Sequence, residues 1–250
     1  MPTTKSFHVF ADRISLMKQT FQMTDLALTM AQKHCMKEAG KGKKIAETMG
    51  GSLTTHLQLN IPDNKLDIQR TFITSRNRQN QQALVELFRT FAYYIKSVVR
   101  EMAHQDPIKL QGMLSNKADR TLTYPEIINL GSYNAIITDM ANKVFRTLEN
   151  LRNTTEMLDK LITLTSANIN QTIKEDALVY LELRHLIIHN NSQPDEKFIA
   201  NNTKGLVKIN PTNNKISYNY ELSNKAMNVV YQLCRSLDSE LVRMGFVKIV

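Results

Sequence analysis

The stretch Leu178–Asn191 reads Leu-Val-Tyr-Leu-Glu-Leu-Arg-His-Leu-Ile-Ile-His-Asn-Asn, an apolar helix running into a polar stop. On a helical wheel at about 100° per residue, Ile173, Ala177, Tyr180, Leu181, Ile187 and Ile188 fall on one side. Arg184 falls in the middle of that side. A guanidinium cannot be deprotonated in a protein, so burying it unpaired is very costly. It needs either an anionic partner in the core or a cleft that receives one.

The rest of the chain supplies a setting for that residue. A length of 250 residues allows one large or two small domains, and 42% hydrophobic content is enough for a sizeable core. The 22% charged fraction is ordinary for a soluble globular protein. A net charge of +9 suits an anionic partner such as nucleic acid, although charge alone names none. The alternative is a basic surface that only aids solubility. Cys35 and Cys234 lie far apart without metal-type spacing, which suits a reducing cytoplasm and two small buried hydrophobes. No apolar run approaches the ~20 residues needed to span a bilayer. The segment Met1–Ser6 lacks the apolar core of a signal peptide. The expectation is a cytoplasmic protein with no membrane partner.

Periodicity predicts a first helix over residues 11–39, ending at Gly40, then a basic turn through Lys44 that lacks the spacing of a nucleotide-binding loop. Residues 45–70 give little, with breaks at Gly50-Gly51 and Pro62-Asp63-Asn64, and an isolated His56 read as structural. Gln79–His104 reads as a strong helix with Leu84, Leu87, Phe88, Phe91, Tyr94 and Ile95 on a wide apolar face. Arg100 and His104 share a face of it but have no carboxylate to orient them. Asp106-Pro107 ends that helix and a short one follows over Pro107–Asn116. Thr123 and Glu126 suit a capping box, with Pro125 just inside the helix start, opening a helix expected to run on to Leu151. A short helix over Glu156–Leu164 comes next. Leu206–Ile209 and Lys215–Tyr220 alternate with a two-residue period around Pro211–Asn214, a hairpin pattern. Ser223 is expected to cap a last helix reaching Met244. The fold class is therefore all-α: a helical bundle with a small β-hairpin insertion near 205–220. The domain reading is an N-terminal helical extension over 1–70 and a bundle over 71–250. Two helical lobes fit the pattern equally well.

Arg184 and His189 are separated by four residues, which turns about 140° on an ideal helix, so the two side chains would not converge. Convergence needs a distorted helix end, or a second chain bringing its own pair across a two-fold axis. The bare pattern is common. Its context is more specific: a long amphipathic helix before it, a polar residue after the arginine, three aliphatics between, and His189-Asn190 meeting a turn. The bland alternative has Arg184 bridged to a buried carboxylate and His189 capping the last carbonyls. Glu182 points away from Arg184 on its own wheel and could reach it only from a partner chain.

The run Glu182–Asn191 resembles the end-of-helix signature of the HEPN superfamily (higher eukaryotes and prokaryotes nucleotide-binding). Its members carry an arginine, four to six residues and a histidine, often with Asn, Asp or His after the arginine. Here these are Arg184, His185 and His189. The flanks Glu156–Leu161 and Asp195–Ile199 look similar too, and the likeness covers about 120–250. The resemblance implies an all-α bundle that dimerises through the motif helices. Active members are metal-independent ribonucleases that use the RNA 2′-hydroxyl as nucleophile and leave a cyclic phosphate. Many are toxins or defence effectors, some paired with an antitoxin protein. Others are non-catalytic nucleic-acid-binding or assembly modules, the alternative function for this chain. The resemblance makes Arg184 and His189 the candidate catalytic residues, with His185, Asn190 and Asn191 in support or contacting RNA. It calls for no metal and no cofactor. The chemistry agrees: histidine suits a general acid or base near neutral pH, and an arginine fork suits a phosphate whose charge builds during reaction.

Overall fold

Thr4 ties the two ends of the chain together. Its hydroxyl accepts from the Phe7 amide at 3.0 Å and starts the first helix. Its own amide and hydroxyl donate to the buried carboxylate of Asp238 near the far end of the sequence. The computed structural model describes residues 3–39, 64–108, 121–149 and 154–249.

Helix α1 spans Lys5–Ala39 and begins earlier than the expected residue 11 because of that cap. Helix α2 spans Lys65–Gln105, starting well before the expected Gln79. Asn64 caps it, its side chain accepting from the Asp67 amide at 2.8 Å. The early turns of α2 carry little apolar pattern because only Ile68 and Phe72 pack, against Cys35, Met36 and Ala39 of α1. The two helices run antiparallel: Arg76 donates to Thr29, Arg13 lies over the Tyr93 ring, and Ser6 donates to Glu101. Phe7, Phe10 and Ile14 belong to the main core together with residues of α2 and the later helices. The domain boundary read at residue 70 thus falls inside α2, and the start of α1 is part of the bundle.

The single helix expected from Thr123 to Leu151 is two, α3 (Tyr124–Leu130) and α4 (Tyr133–Glu149). The capping box at Thr123 and Glu126 is present. The break is Gly131, which caps α3 in the left-handed region at φ 68°, and Ser132, whose hydroxyl accepts from the Ala135 amide at 3.2 Å. Helix α5 spans Thr154–Thr165, α6 Gln171–His189 and α7 Glu196–Asn201. Strands β1 (Ile209–Asn210) and β2 (Lys215–Ile216) form the antiparallel hairpin, shorter than the alternation suggested. Helix α8 spans Tyr220–Arg243 and is capped by Asn219, not Ser223. Ser223 is buried inside the helix and donates to Asn80 of α2 at 2.9 Å.

The described residues are thus an all-α bundle with one small hairpin. Its centre is a square of α1, α2, α6 and α8. Helices α2 and α8 each touch both α1 and α6, which sit on opposite corners. Helix α4 lies along α2. Both cysteines are free and buried. Among the described residues no helix is long and apolar enough to cross a membrane. The Gly40–Lys44 turn, Gly50-Gly51, His56, most of Pro107–Asn116 and Leu151 lie outside the described residues.

Candidate active site at the end of helix α6

Helix α6 is buried over an arc that narrows along its length. In its first half Ala177, Val179, Tyr180 and Leu181 are all buried and span a wide arc; further on, only Leu183 and Leu186 are. Those two lie about 100° and 200° around the axis from Arg184. The apolar side on which the wheel centred Arg184 therefore serves as the core face only in the first half. By Arg184 the buried arc has narrowed to the side shared by Val179, Leu183 and Leu186. Arg184 emerges half-buried at its edge, and Ile188, one turn on, is exposed.

The guanidinium of Arg184 lies over the Phe88 ring of α2, 5.2 Å from its centroid. Phe88 in turn packs against the main core. Among the described residues Arg184 has no ion pair; Glu182 is engaged by Lys197 at 2.9 Å instead. An aromatic face stabilises a cation without neutralising it, by about 0.5–1 kcal/mol at an exposed site. Arg184 is thus neither locked to a buried carboxylate nor fully solvated.

His185 and His189 are both exposed, on successive turns, with ring centroids 5.0 Å apart and planes tilted by 43°. The helix stays regular through His189, so its end does not unwind to bring Arg184 and His189 together. His189 is not the cap of α6. The amides of Asn190 and Ser192 both donate to the Leu186 carbonyl, at 3.1 and 2.8 Å. Asn190 does not hold His189 either; its side-chain amide donates to Asp195, the N-cap residue of α7, at 3.3 Å. Asn191 is exposed, with φ 50°, and Ser192 follows at φ 64°. These two left-handed residues turn the chain sharply away from the histidines. Gln81 of α2 fixes the turn by donating to the Ser192 hydroxyl at 3.0 Å.

Phe88 and Gln81 were hidden from sequence reasoning for one reason: each looks ordinary within α2, one in its apolar face and the other in a polar run. Only the antiparallel packing of α2 on α6 sets Gln81 against Ser192 and Phe88 against Arg184. The Arg100 and His104 pair is exposed, and Arg100 donates to Asn142 of α4 at 3.2 Å. Among the described residues no cluster of His, Cys, Asp and Glu has the arrangement of a metal site. A pocket near the other end of α6, between Asp176, Val179 and Leu206, is bridged by Lys204, which donates to Asp176 at 2.7 Å.

Comparison with known proteins finds no matching family model, no matching curated protein and no matching solved structure.

Proposed function

We propose that the chain is a metal-independent RNA endonuclease of HEPN type, acting as a toxin or defence effector. Its site would be shared between two copies that meet through α6. The observation that carries this reading is the state of Arg184, a half-buried cation resting on Phe88 with no ion pair among the described residues, next in sequence to His185 of the exposed His185–His189 pair. A structural arginine would have its carboxylate beside it. An arginine for phosphate keeps its donors free.

In the proposed reaction the 2′-oxygen attacks the adjacent phosphorus and the bond to the 5′-oxygen breaks. One histidine takes the 2′-hydroxyl proton and another gives a proton to the departing 5′-oxygen. A two-fold axis supplies His189 twice, once for each task. Arg184 offsets the charge that builds on the phosphoryl oxygens. Because Arg184 and His189 of one chain point apart, the second copy supplies the missing partner. His185 is placed to contact a neighbouring phosphate. The net charge of +9 favours RNA as the partner.

Incubation of pure protein with a defined RNA in EDTA tests this reading. The expected products end in a 2′,3′-cyclic phosphate, and His189→Ala abolishes them. Salt-sensitive binding without products, equal for both proteins, would favour the binding-module alternative.

A further inference from the structure

Helix α1 carries two apolar rows. One, including Phe7, Ile14 and Phe21, faces the core. The other faces out: Val9, Leu16, Met23 and Met30 recur every seven residues, with Leu26 beside them. Leu16, Met23, Leu26 and Met30 are 64%, 67%, 53% and 64% exposed. A solvent-facing helix surface ordinarily carries charge. Between Ile14 and Gln32 the only charged residues are Lys18 and Asp25, and both are already engaged. Lys18 donates to Asn228 at 2.6 Å and Asp25 lies 3.9 Å from Arg76. An exposed row rich in methionine and without free charge has the make-up of an interface core.

The ends of the row point to the occupant. Asp12 and Lys37 are exposed and have no ion pair among the described residues. They lie equally far from a midpoint between Thr24 and Asp25. We propose that this face is covered by a second copy of α1, antiparallel about a two-fold axis at that midpoint. In this register Met23 meets Leu26 of the copy and Met30 meets Gln19. Leu16 lies under the apolar stem of Lys33, and Asp12 meets Lys37, each contact occurring twice. The paired stretch, residues 12–37, is about 38 Å long at 1.5 Å per residue. The row has no free charge between Ile14 and Gln32, and Asp12 and Lys37 beyond its ends lie at matched distances, so the face is complementary to itself. Arg13 is turned onto the Tyr93 ring, and Lys33 is exposed with its stem over Leu16 of the copy. A strongly acidic or basic partner would find no counter-charges along its centre. Helix α1 is at the corner opposite α6, so this pairing leaves Arg184 and His189 uncovered and does not depend on the nuclease reading.

Light scattering on the full chain, across a range of concentrations, tests the pairing. Met23→Glu with Leu26→Glu is expected to reduce the number of chains per particle, to one if α1 makes the sole contact and to two if α6 also makes one. An unchanged mass overturns the proposal. Asp12→Lys alone and Lys37→Asp alone are expected to weaken association severalfold, and the two together to restore it. A double charge variant no better than the singles overturns the antiparallel register, even if the glutamate variant fails to fold. Ile188→Glu in the same assay reports separately on contact through α6.

Discussion

At the scale of residues, two buried or half-buried charges behave in opposite ways. Arg184 rests on an aromatic ring with its fork unpaired among the described residues. Asp238 is fully buried but surrounded by donors: the Thr4 amide and hydroxyl, and the Tyr94 hydroxyl at 3.3 Å. Burial pushes the Asp238 carboxyl above its ordinary value, and these hydrogen bonds pull it partly back. A carboxylate raised in the folded state contributes stability that is fully present below its unfolded pKa and is lost as pH rises through the folded one. Asp238→Asn cannot titrate. The stability of the natural protein relative to this variant should therefore fall as pH rises from about 4, the ordinary aspartate value, and level off once the pH is above the folded-state value. Urea midpoints of both proteins across that range check the sign; a difference that grows with pH would refute it. The wheel marks Arg184 as an anomaly, and of the two causes open to it the structure removes the internal carboxylate among the described residues. The anomaly also falls where the buried arc of α6 narrows, which depends on how α2 and α8 flank the helix and is not encoded in its own periodicity.

At the scale of elements, apolar spacing revealed the helices and hid their ends. Helix α2 was legible where Leu84, Leu87, Phe91 and Tyr94 meet the core, and not over residues 65–78, where its contact is a thin seam with α1. Ser223 looked like a cap because serine favours that position, yet Asn80 claims its hydroxyl across the bundle. The spacing of apolar residues on either side of Gly131 reads as one continuous helix, although the left-handed backbone of Gly131 divides α3 from α4. A methyl group added there would meet nothing within 4 Å, so Gly131→Ala should cost only the backbone penalty, about 1–2 kcal/mol, seen as a lower urea midpoint. Ser166, exposed at φ 51° after α5, is the reverse case. Ser166→Gly should raise stability by up to about 1 kcal/mol, and a lower midpoint would show that the serine side chain matters.

At the scale of the whole molecule, the first helix and the last are joined through Thr4 and Asp238, and one core reaches from Phe7 to Val247. The chain should unfold in a single transition. Phe10→Ala, at a position 1% exposed, should lower the stability of the entire bundle by about 3–5 kcal/mol. A separate early transition for the N-terminal part would contradict this. The fold class was legible because helical spacing dominates the sequence. The candidate site was legible in part: the motif on α6 could be read, whereas Phe88 beneath it required the packing of α2. The central claim is that Arg184 serves a phosphate and not the core. It is tested most directly by the rate of RNA cleavage in EDTA by the natural protein and by Arg184→Ala, both confirmed folded by circular dichroism. The expected result is a rate lower by about 10²–10³ with helix content unchanged. Equal rates, or collapse of the fold in the variant, would contradict it.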